Sequence, residues 1–133
     1  MEPKDLMAWF NRQPRLGTLA TSDGIGNVNN AVFSALNMID EETVVMAIGA
    51  NRSLANLKSN PKAAYIFFEP APNPFEWKGA RLYLDAKSIE ASGPLFDQLV
   101  TVVRKQVGDQ AAANVKAAVT FKIDAVRSLI DMG

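Results

Sequence analysis

The chain has no cysteine and no histidine among its 133 residues. Without cysteine there is no disulfide, no thiolate nucleophile, no iron–sulfur cluster and no zinc–thiolate site. Without histidine there is no Ser-His-Asp triad, no imidazole base and no His-ligated metal or haem. Any redox chemistry must therefore come from a bound organic cofactor. Neither sign of charge is in excess: 14 basic and 14 acidic residues give a formal net charge of zero. Nothing in that balance draws the chain onto nucleic acid or anionic lipid, and a neutral surface makes self-association easier. Long apolar runs are missing too, none approaching the roughly 18 residues that a membrane helix needs. The first residues, MEPKDLMAWFNRQPR, have acidic groups among the first five and no apolar stretch of the signal-peptide kind. A cytoplasmic protein is expected.

Hydrophobic residues make up 48% of the chain and charged residues 21%, enough for one core, so residues 1–133 read as a single domain. Residues 3–13 place Leu6, Met7 and Phe10 on one helical face with Trp9 beside them, between Pro3 and Pro14. Leu16–Thr21 alternates in β-forming residues, Ser22–Gly26 is a turn cluster, Asn27–Met38 resumes as a strand, and Thr43–Ile48 follows a polar turn. Together 15–48 read as an antiparallel meander. A short helix over Ser53–Ser59, strands over Ala63–Phe68 and Trp77–Ala91, a helix over Gly93–Val107 and a strand over Thr120–Ile130 complete six strands and about three helices. There is no strand–helix–strand alternation to build a parallel sheet. The expected fold is mainly β, an antiparallel barrel with peripheral helices.

The stretch TVVMAIGANRSLANLKSNP carries the most chemistry. A strand ends at Gly49, and Gly49 and Ala50 let the backbone approach a ligand closely. Asn51, Arg52 and Ser53 then open a helix, where free N–H groups and the positive helix end favour an anion. Arg52 can add a bidentate charged contact and Ser53 a hydroxyl donor, together a phosphomonoester site. The same residues also fit an ordinary N-cap followed by a solvated arginine. Asn27, Asn29 and Asn30 are unusual in a strand, with Asn29 and Asn30 on opposite faces. One of them can meet a heteroaromatic edge or a phosphate, or all can be solvated amides at a bulge. Phe75 and Trp77 beside Lys78 can flank a planar ligand, or can bury area at a barrel mouth or an oligomer interface. No P-loop, dinucleotide fingerprint or metal-binding constellation is present.

In order, LGTLAT, SDGIG, NVNNAVFSAL, TVVMAI and NRSLANLKSNPKAAYIF resemble the FMN-binding split-barrel superfamily, the fold of the pyridoxamine 5′-phosphate oxidases. The resembling pattern is Arg52-Ser53-Leu54-Ala55-Asn56-Leu57 followed by Asn60-Pro61, with RLYLDAKSIEASGPLFDQL later in the chain. The resemblance spans roughly residues 5–130 and is nearest in style to the short single-domain FMN-binding proteins. It implies a six-stranded antiparallel split β-barrel of Greek-key type, a homodimer, and FMN at the dimer interface. It implies that Arg52 and Ser53 hold the phosphate, that Asn29, Asn30 and Ala31 run along the ring and ribityl chain, and that Ile48, Gly49 and Asn51 offer backbone contacts. Asn56 would brace the loop, and Trp77 or C-terminal residues from the partner would cover the ring. The chain departs from the family twice. Ser53 stands where a second basic residue is common, and no histidine exists for the substrate motif of true pyridoxamine-phosphate oxidases. The implied function is an FMN-binding flavoprotein in electron or hydride transfer. The alternatives are a flavin reductase or other small-molecule oxidoreductase with its own substrate, and a cofactor-free barrel acting in binding or interaction.

Overall fold

Seven strands and four helices follow one another in a computed structural model that describes residues 3–13 and 15–130. Helix α1 (Pro3–Phe10) leads into β1 (Leu16–Ser22), β2 (Val28–Val32), β3 (Leu36–Asp40) and β4 (Thr43–Ile48). Helix α2 (Arg52–Ser59) precedes β5 (Lys62–Glu69), and a single 3₁₀ turn at Pro74–Glu76 precedes the long β6 (Lys78–Glu90). Helices α3 (Pro94–Gln106) and α4 (Asp109–Ala113) lead to β7 (Ala117–Ser128). Pro14 as a helix stop lies outside the described residues.

All pairings are antiparallel, in the order β2-β1-β5-β6-β7-β4-β3. The expectation of six strands is corrected to seven, because Asn27–Met38 is two strands and not one. Nor is 15–48 a meander: β2 and β3 are the two ends of the sheet and share no ladder. The sheet is therefore open along that seam. The helix α4 was not anticipated, and β7 begins at Ala117 rather than Thr120 because Ala117–Val119 pair with Met46–Ile48.

Period-two alternation sets the two faces. Inward residues of six strands, with Leu19, Leu36, Met46, Tyr65, Leu82, Leu84, Val119 and Phe121 almost wholly buried, make the main core. Leu6 and Phe10 of α1 close one end of it, and Leu54 and Leu57 of α2 close the other. The outer faces of β4 and β7 are covered by α3, where Leu99 packs on Val45, Ala47 and Ala118. No helix is assigned to the outer face of β2, β1 and β5.

Side chains bridge the open seam. Arg15, 8% exposed, donates from Nη2 to the carbonyls of Ser34 (2.7 Å) and Leu36 (2.6 Å), and from Nη1 to Phe10. Its Nε donates to Tyr65 Oη at 3.1 Å, and Tyr65 donates in turn to the Phe33 carbonyl at 2.6 Å. The phenol reaches that far because Gly17 lies beneath it, where a Cβ would come within 2.1 Å of Tyr65 Oη. Asn11 adds a two-way bridge, donating to the Met38 carbonyl at 2.8 Å and accepting from the Met38 N–H at 2.7 Å. With Gln13, which donates to the Ser34 carbonyl at 3.3 Å, these side chains brace the crossing from β2 to β3, where no ladder joins the two strands.

Candidate functional site

The start of α2 gathers most of the residues the sequence singles out. Asn51 is an extended N-cap, and its Oδ1 accepts from the Leu54 N–H at 2.9 Å. That satisfies one orphan donor of the first turn. The Arg52 and Ser53 amides, ahead of Leu54, have no acceptor among the described residues. They sit at the positive end of the helix, where such groups favour an anion. Arg52 is exposed, with no hydrogen bond or ion pair among the described residues. Its guanidinium is available to an anion without first breaking an internal contact.

Ser53 faces the other way. Successive helical residues are turned by about 100°, so with Arg52 outward, Ser53 joins Leu54, Asn56 and Leu57 on the buried face. Its Oγ accepts from Asn29 Nδ2 at 3.1 Å. Asn56, one turn on, donates from Nδ2 to Thr21 Oγ1 at 3.1 Å. Thr21 and Asn29 are direct partners in the β1–β2 ladder. Two polar pairs therefore bolt α2 to one rung of a hairpin. Thr21 was not among the sequence candidates. Its signal was there: in LGTLATS it shares the inward face with Gly17 and Leu19, a polar residue at a core position.

The remaining candidates divide. On β2, Asn29 and Ala31 are half-buried and Asn30 is exposed, so the two asparagines do take opposite faces. Ile48 is buried, and its carbonyl already accepts from the Lys116 N–H at 2.8 Å. The Gly49 carbonyl accepts from the Asn51 N–H at 3.0 Å, and a Cβ on Gly49 would press to 3.2 Å from the Asn114 carbonyl. Trp77 is not brought to this place within one chain. It stacks on Phe68 with ring centroids 5.6 Å apart and donates from Nε1 to the Ala71 carbonyl at 2.7 Å. That is the far end of β5, about 23 Å from Lys62 at the strand rise of about 3.3 Å per residue.

Four clefts of the single chain lie elsewhere. Three, of about 370, 430 and 500 Å³, surround Trp9 at the α1 end, and one of about 400 Å³ runs between α3 and β3. None of these four is lined by Arg52. Among the described residues no helix is long and apolar enough to cross a membrane.

The outer face of β2, β1 and β5 is largely apolar. Ladder partners place Val28, Val32, Leu16, Ala20, Ile66 and Phe68 on it, interspersed with Thr18, Ser22 and Asn30. Val28 is 79% exposed, Val32 76% and Leu16 54%. Exposed apolar side chains clustered on one face in this way mark an interaction surface more often than idle surface.

Comparison with known proteins gives these features a family. The chain is similar to an FMN-binding protein from Syntrophomonas wolfei subsp. wolfei, 25% identical, over 98% of this chain and 87% of that one, with a TM-score of 0.85. It has the same fold as HupZ of Group A Streptococcus, 18% identical over 97% and 94% of the two chains with a TM-score of 0.78. It shares the fold also with HutZ, the haem storage protein of Vibrio cholerae, 18% identical over 96% and 95% with a TM-score of 0.69. No curated protein matches the sequence. The family model described as pyridoxamine 5′-phosphate oxidase matches residues 3–129, so the exposed Arg52 and the bolted start of α2 belong to a member of the pyridoxamine 5′-phosphate oxidase family, within the FMN-binding split-barrel superfamily.

Proposed function

We propose that the chain is an FMN-binding flavoprotein acting in electron or hydride transfer, and that it works as a homodimer with the cofactor at the interface. The observation that carries this reading is the unpartnered, exposed Arg52 beside two unpaired amides at the start of α2. That donor set fits a phosphomonoester. The amides of Asn29 and Asn30 on the adjoining strand fit the polar edge and ribityl hydroxyls of a flavin. The flavin supplies the redox chemistry when bound; the chain's residues hold and orient it.

The bare outer face of β2, β1 and β5 supports the dimer. A two-fold pairing over it buries Val28 and Val32, and an antiparallel arrangement sets the Trp77 end of one protomer against the Arg52 end of the other. The partner's Trp77 then covers the ring. Haem fits less well, since the chain has neither His nor Cys for axial ligation.

A purified protein that is yellow, or that takes up added FMN, supports the proposal. A colourless protein that takes up none contradicts it and favours an interaction role. Steady-state oxidation of NADH or NADPH separates a reductase from an electron carrier.

A further inference from the structure

Resting on the FMN reading above, we propose that Ser53 is a positioning residue for Asn29 and not a ligand of the phosphate. Three observations carry this. Ser53 is 1% exposed, so its hydroxyl is sealed beneath the helix. The hydroxyl oxygen accepts from Asn29 Nδ2 at 3.1 Å, which turns it toward β2 and away from the helix start. Arg52, the neighbouring residue, is exposed about 100° round the helix from the buried Ser53, so its guanidinium can meet an anion in solvent that the sealed Ser53 Oγ does not face.

The contact acts on Asn29. A side-chain amide has two N–H donors and a two-lone-pair acceptor. With one N–H committed to Ser53, the carboxamide is held in one orientation. Its Oδ1 and second N–H are left to face a ligand with a matching donor and acceptor, as the flavin ring edge and ribityl hydroxyls provide. Asn29 sits on the rung that Asn56 fixes through Thr21, so its backbone is held as well as its amide. The phosphate then rests on Arg52 and the first-turn amides, and Ser53 tunes recognition of the flavin body.

Titration of the apoprotein with FMN and with riboflavin tests this. The ratio of the two dissociation constants isolates the phosphate. In the wild type the ratio is large, and Arg52→Ala brings it down by about tenfold. For Ser53→Ala the expected result is weaker binding of both ligands by a similar factor, about threefold to tenfold, with the ratio unchanged. Asn29→Ala should behave alike, and the double variant should bind no worse than Asn29→Ala alone. Partial unfolding lowers the active fraction without changing the ratio, so it cannot mimic a phosphate contact. A ratio that collapses in Ser53→Ala, or additive losses in the double variant, overturns the assignment. Failure of the wild type to bind either flavin overturns the FMN reading itself, a different result from either of these.

Discussion

Arg15 Nε and Tyr65 Oη lie 3.1 Å apart inside the barrel, and the guanidinium of Arg15 sits 4.3 Å from the centroid of the Phe10 ring. No carboxylate pairs with Arg15 among the described residues; its partners are three backbone carbonyls and a phenol. A buried cation with four of its five N–H groups engaged this way holds the seam between β2 and β3. Lysine cannot reproduce the planar fork. Arg15→Lys should therefore cost about 2–4 kcal/mol, since it leaves buried acceptors unmet. Chemical denaturation measures this, and a loss below about 1 kcal/mol would contradict the seam role.

Tyr65 couples the same seam to alkaline pH. Burial pushes its phenol above the ordinary 10.0, while the charge and hydrogen bond of Arg15 pull the other way. A folded-state pKa above the unfolded one gives stability that is complete below the unfolded value and lost as pH rises through the folded value. As pH rises above the ordinary 10.0 the wild type should lose stability more steeply than Tyr65→Phe, which has no phenol to ionise. Equal slopes in denaturant melts across that range would contradict the coupling.

Arg52 is exposed and makes no internal contact among the described residues, so removing it should leave the fold intact. Arg52→Ala should weaken FMN binding by about tenfold or more, the worth of a charge-assisted contact. Flavin-fluorescence titration measures it. Unchanged affinity would remove Arg52 from the phosphate site.

The bare outer face gives a prediction about assembly. Val32→Asp puts a charge among the exposed apolar residues of the edge strand β2 and should convert a dimer to a monomer in sedimentation velocity. The same variant should lose FMN affinity, because the cofactor sits at the interface in this account. A wild type that is monomeric yet binds FMN tightly would refute the shared site.

Much of this was legible in the sequence because the signals are local. The helix start at Asn51, the strand before it and the alternation of LGTLATS each lie within a few residues. The seam was not legible. VNNAVFSALNM runs on without a turn signal, and the break at Phe33–Ala35 is held by Arg15, 19 residues from Ser34, and by Tyr65, 32 residues from Phe33. A strand count from periodicity cannot register such contacts. Ala117–Val119 is equally ambiguous as a short run of small apolar residues, and pairing with β4 decides it. At the site, Arg52 and Asn51 follow from helix-start chemistry. The burial of Ser53 depends on an amide 24 residues earlier in the chain, so the sequence could offer its hydroxyl to a phosphate while the fold turns it inward.

The central claim is that this chain carries FMN. Denaturing release of the small molecules from the purified protein, followed by mass spectrometry, tests it most directly. The expected result is FMN in equimolar amount to the chain, or quantitative uptake of added FMN by the apoprotein. Release of FAD, a deazaflavin or haem instead, or no ligand together with no uptake of FMN, would contradict it.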